Sequence, residues 1–99
     1  MFKTEGRCVI VDTEKLEEYF DSMGIEIDYE FDSDERDQYS PIKYELLINT
    51  YDEINDDLCD DIVSELADMS DEIRVEWMEG EDGTPIFVIS SYYEFDEEW

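Results

Sequence analysis

The sequence contains no histidine, and only six lysines and arginines stand against 32 aspartates and glutamates. Without histidine there is no imidazole to act as general base, metal ligand or charge switch near neutral pH. Four glycines and two prolines suffice for turns, but no Gly-rich phosphate loop and no G-x-S-x-G nucleophile elbow can be found. Carboxylate pairs are so abundant that no two stand out as a catalytic acid and base. An enzyme is not expected, and no cofactor is implied. Two cysteines, Cys8 and Cys59, sit in apolar patterns without a CxxC; they read as buried free thiols, with a Cys8–Cys59 disulfide as the alternative. No apolar run approaches the length of a membrane span, and the N-terminus has no apolar leader. A soluble, cytoplasmic protein is the expectation.

What is present is a core and a great deal of negative charge. The 99 residues are 41% hydrophobic and 14% aromatic, which suits one folded domain over 1–99 rather than an acidic disordered chain. The net charge is −26, unevenly spread: residues 1–24 carry six acids against three cations, and residues 25–99 carry 26 against three. Repulsion on this scale opposes compaction, so the charge is not explained by stability. Nucleic acid and anionic lipid would be repelled from such a surface. Strongly basic proteins would be drawn to it, and the usual targets of those are nucleic acids.

Element signals follow in order along the chain. Residues 7–11 form a short apolar run, expected as a central strand. Asp12 or Thr13 caps a helix whose Leu16, Tyr19, Phe20 and Met23 repeat at helical spacing, and Gly24 stops it. Residues 25–31 then alternate strictly. Residues 32–42 read as a polar loop containing Pro41, and 44–50 as a strand with Tyr44, Leu46 and Ile48 on one face. A second helix is expected over 52–69, its inward stripe Ile54, Leu58, Ile62, Leu66 and Met69, with Cys59 and Val63 beside it. Residues 72–79 and 85–93 read as a hairpin turning through Gly80-Glu81-Asp82-Gly83, and residues 94–99 as a frayed acidic tail. The order β-α-β-β-α-β-β predicts an α+β fold: a mostly antiparallel sheet with two helices on one face, ferredoxin-like with a terminal hairpin.

The alternating strand is the most distinctive stretch. Ile25, Ile27, Tyr29 and Phe31 go to one face, and Glu26, Asp28, Glu30 and Asp32 to the other, with Asp34 and Glu35 continuing the acidic run. The second helix extends the pattern: between Tyr44 and Ile73 there are 11 acids and no cation. Glu53–Asp57, Asp56–Asp60, Asp57–Asp61 and Asp61–Glu65 are like-charge pairs at i, i+4, costing together roughly 1–2 kcal/mol at low salt. The helix dipole can favour Asp52, Glu53 and Asp56 in a first turn, but not Asp68 or Asp71 at the far end. The candidate partner-binding residues are therefore Glu26, Asp28, Glu30, Asp32, Asp34, Glu35, Asp56, Asp57, Asp60, Asp61, Glu65 and Asp68, with the hairpin end Glu79, Glu81 and Asp82 as a third row. One strand row spaces its charges by about 6.6 Å, whereas duplex DNA carries one per roughly 1.7 Å of axis. Several rows must share a face to imitate it.

In size, folded core and acidic rows such as Glu26-x-Asp28-x-Glu30-x-Asp32 and Asp56-Asp57-x-x-Asp60-Asp61, the chain resembles the small DNA-mimic inhibitors of phages and mobile elements, the anti-CRISPR and anti-restriction proteins. The likeness is one of class and rests on no shared motif. It implies a role blocking the basic nucleic-acid site of a host defence or DNA-handling protein, and the protein is expected to act as a monomer or small homo-oligomer in the host cytosol. Two other readings start from the same composition. Residues 32–37 and 79–84 offer oxygen ligands to hard cations, though neither has EF-hand spacing. An acidic coat also suits a haloadapted interaction module, which would unfold in dilute buffer where a mimic would not. Of the aromatics, Tyr39, Tyr51, Trp77, Tyr92, Tyr93 and Trp99 are expected to pack in the core or along sheet edges; Tyr39 or Tyr51, if exposed, would be an interface anchor.

Overall fold

A computed structural model describes residues 1–34 and 43–97. These residues form an α+β structure with two helices and two sheets. A hairpin opens the chain: β1 (Phe2–Glu5) and β2 (Cys8–Val11) pair antiparallel across Gly6 and Arg7, Gly6 taking the left-handed φ of 61° that a two-residue turn requires. Helix α1 (Thr13–Asp21) starts at Asp12, whose carboxylate accepts the Lys15 N–H at 3.2 Å. It stops as the sequence indicates: Gly24, at φ 73°, donates to the Asp21 carbonyl, and Ile25 reaches back to the Phe20 carbonyl at 3.0 Å.

The larger sheet follows: β3 (Ile27–Asp34), β4 (Lys43–Thr50), β5 (Arg74–Glu79) and β6 (Pro85–Ser91), laid out as β3-β4-β6-β5 and antiparallel throughout. Its register builds the core in cross-strand rows. Tyr29, Ile48, Phe87 and Trp77 form one row and Phe31, Leu46, Ile89 and Val75 the next. Both helices cover this face. The Phe20 ring of α1 lies 5.6 Å from Phe87, and helix α2 (Asp56–Ala67) buries Cys59, Ile62 and Leu66 in the same core. Residues from both sheets and both helices share that one cluster.

Four expectations are corrected. First, the strands form two sheets rather than one ferredoxin-like sheet, because both edges of β2 are taken by β1 and by a parallel strand β7 (Glu94–Asp96). Second, β7 lies in the stretch expected to fray; Phe95 anchors it beside Val9 and 6.2 Å from the Phe31 ring. Residues 98–99 lie outside the described part. Third, the second helix begins at Asp56 and not at Asp52, because Asn55 is extended and its side chain caps the Leu58 N–H at 2.8 Å. Fourth, the helix ends at Ala67, so Met69 leaves the inward stripe and is exposed. No described helix is long and apolar enough to cross a membrane.

Candidate partner-binding surface

In β3 the alternation behaves as read. Ile27, Tyr29 and Phe31 pack against the core, while Asp28, Glu30 and Asp32 are exposed on the opposite face. The strand is an edge of its sheet. Two of its outward backbone N–H groups are met by its own carboxylates: Asp28 accepts from Tyr29 at 2.9 Å and Asp32 from Ser33 at 2.8 Å. Such a guard hinders pairing with another chain's edge. Asp34 closes the strand, and Glu35 lies outside the described residues.

Along α2 the acids follow from about 100° of turn per residue. Asp57, Asp61 and Asp68 crown the side opposite buried Cys59, Ile62 and Leu66, with Asp56 and Asp60 on the flank toward β5 and Glu65 on the flank toward α1. The flanking acids have structural partners. Asp60 accepts the Trp77 indole N–H at 3.0 Å, and Glu65 accepts the Tyr19 hydroxyl, joining the two helices. Burial first, then that hydrogen bond and the charges of Glu65 and Asp61, push the Tyr19 phenol well above its ordinary range. Among the described residues none of these α2 acids pairs with a lysine or arginine.

The β3 row and the α2 row do not share a face. Asp28, Glu30 and Asp32 look away from the sheet side that α2 covers. What the fold does bring together is one end of the molecule. Register places the start of β3, the end of β4 and the β5–β6 turn side by side: Ile27 faces Thr50, Asn49 faces Ile86, and the Thr50 hydroxyl binds the Pro85 carbonyl at 2.7 Å. Tyr51 N–H bonds the Glu26 carbonyl and Glu26 N–H bonds the Asp52 carboxylate, both at 3.3 Å. An open groove of about 540 Å³ runs between Asp28, Glu81 and Asp82, and a second of about 480 Å³ between Asp56 and Glu79. Nine exposed carboxylates thus meet at this end: Glu26, Asp28, Asp52, Glu53, Asp56, Asp57, Glu79, Glu81 and Asp82.

No lysine or arginine occurs in the three segments that build it, 25–28, 49–57 and 78–86. Lys43 and Arg74 sit at the other end of the large sheet, lining a pocket with Asp71, Glu72, Ser90, Ser91 and Tyr92. The two described cations of the large sheet thus lie at the end away from these segments, among Asp71 and Glu72, and two acidic ridges run from the cation-poor end, one on each side of the sheet. Asp52 and Glu53, assigned to a helix by periodicity, belong instead to this end. Tyr51 stands among the acids, 60% exposed, its hydroxyl 3.4 Å from Asp28; the Asp28 charge chiefly raises its phenol, with Glu26 adding to it. Tyr92 is exposed as well, whereas Trp77 and Tyr93 are half-buried as expected; Tyr39 and Trp99 fall outside the described residues. Among the described residues no group of three acids converges as a metal ion would require.

The chain matches no protein-family model, and it is similar to no curated protein and no solved structure. The functional reading rests on fold and charge alone.

Proposed function

We propose that this protein is a nucleic-acid mimic, which occupies the basic DNA- or RNA-binding site of a host defence or DNA-handling protein and excludes the natural ligand. The observation that carries this is the convergence at one end of three segments remote in sequence, none of which contains a lysine or arginine. The molecule measures 39 × 28 × 20 Å, so nine carboxylates average one per about 4 Å even along its longest axis. A single nucleic-acid strand carries one charge per about 3.4 Å. Partner affinity then comes mainly from charge complementarity and counterion release, and salt weakens it steeply. Tyr51 supplies an aromatic anchor within the charged field.

The test is capture of partners from a native host lysate at low salt, eluted with a salt gradient. Basic nucleic-acid-binding proteins should elute late from the wild-type protein. They should elute early from a variant carrying Asp56→Lys, Glu81→Lys and Asp82→Lys with a native circular dichroism spectrum. Late-eluting proteins with no nucleic-acid function, or an unchanged profile with the variant, would refute the proposal.

A further inference from the structure

The face of the large sheet that points away from the helices is not uniformly acidic. In the row from β3 to β5, Glu30 is followed by Leu47, Val88 and Glu76. In the next row Ile86 and Met78 extend the apolar strip toward the hairpin end. Val88 forms its floor at 3% exposure, Leu47 and Ile86 are half-buried, and Met78 is 50% exposed. None of the four belongs to the main core, and among the described residues no helix packs on them. Carboxylates border the strip along β3, at Asp28, Glu30 and Asp32, and on β5 the border is Glu76 with Arg74 two residues before it on the same face.

We propose that this strip is the seat of one amphipathic helix from a basic partner, its apolar ridge on Leu47, Val88, Ile86 and Met78 and its lysines or arginines against the acidic β3 border and Glu76. The dimensions fit. Three strand spacings of about 4.8 Å set the borders ~14 Å apart, and a helix with its side chains is ~10–12 Å across. A helix laid on a sheet is also how the opposite face is already covered. A second copy of this chain is the wrong occupant, since face-to-face pairing would press two acidic borders together at −26 per chain. The partner's basic character rests on the mimic reading; the apolar strip adds a component that salt does not screen.

Two synthetic peptides of about 18 residues, ~27 Å long when helical, provide the test by fluorescence anisotropy. One carries a leucine ridge flanked by lysines, and the other contains the same residues scrambled so that charge is kept and the ridge is lost. The ridged peptide should bind the wild-type protein at least about tenfold more tightly, and the preference should persist at about 0.5 M salt, where the Debye length is only a few ångströms. Leu47→Ser with Met78→Ser should abolish the preference while leaving scrambled-peptide binding unchanged. Met78→Glu, at an already half-exposed position, should reduce it even if the double variant unfolds. Equal binding of the two peptides, or a preference untouched by Met78→Glu, overturns the proposal. So does concentration-dependent dimerisation of the free protein that Met78→Glu removes, which would make the strip a self-interface. The mimic reading fails separately, by lysate capture that yields no nucleic-acid-binding protein.

Discussion

Several of the acids have local structural partners, and this limits what charge alone explains at the level of single residues. Asp60 holds the Trp77 indole and Glu65 the Tyr19 hydroxyl, so both serve the packing of α2 as well as its charge. The Tyr19 contact makes stability depend on pH in the alkaline range. Burial and Glu65 raise the folded-state phenol above the ordinary 10.0, so the unfolded chain ionises first. The contribution is complete below pH 10, where both states are protonated, and declines as pH rises toward the folded-state value. Urea unfolding across this range should therefore show stability falling, with a shallower fall in Tyr19→Phe; identical slopes would mean that the contact contributes nothing. Removing the Trp77 acceptor by Asp60→Ala should cost about 0.5–1.5 kcal/mol in the same assay, the net worth of one such hydrogen bond.

Element by element, α2 and β3 show two different uses of the same residue type. In α2 three like-charge pairs remain at i, i+4, since Glu53 precedes the helix, and they oppose it by roughly 0.6–1.5 kcal/mol. Asp61→Lys converts two of them into attractions and should raise stability by about 0.8–2 kcal/mol while weakening partner capture. A gain in stability with capture unchanged would remove the α2 ridge from the interface. In β3, Asp28 and Asp32 cap outward N–H groups of an edge strand. Replacing both with alanine should open that edge, and sedimentation should then show concentration-dependent self-association absent from the wild-type protein. Most of these elements were readable because apolar spacing reports which side of a helix or strand faces the core. The misreadings also have physical causes. Ile54 and Leu58 prolong helical spacing past the cap that Asn55 imposes. Phe95 is one apolar residue between two acids, too little to signal a strand. Phe2 to Glu5, where no element was expected, pairs along the free edge of β2. The charged end was not readable at all, since it is made by the register of β3, β4 and β6 and not by proximity in sequence.

Over the whole molecule, the net charge of −26 should make stability and partner binding respond to salt in opposite directions. Screening relieves self-repulsion, so moderate salt should raise the melting temperature of the free protein, and the protein should stay folded in dilute buffer. The same salt should dissociate its complexes. A protein that unfolds in dilute buffer would fit haloadaptation instead. The central claim is that the acidic array stands in for a nucleic-acid backbone, and competition tests it most directly. A captured partner loaded with fluorescently labelled nucleic acid is titrated with the wild-type protein at low salt. One-for-one release of the label is expected, with an affinity falling linearly in log salt; a stable ternary complex in which the label stays bound would contradict the claim.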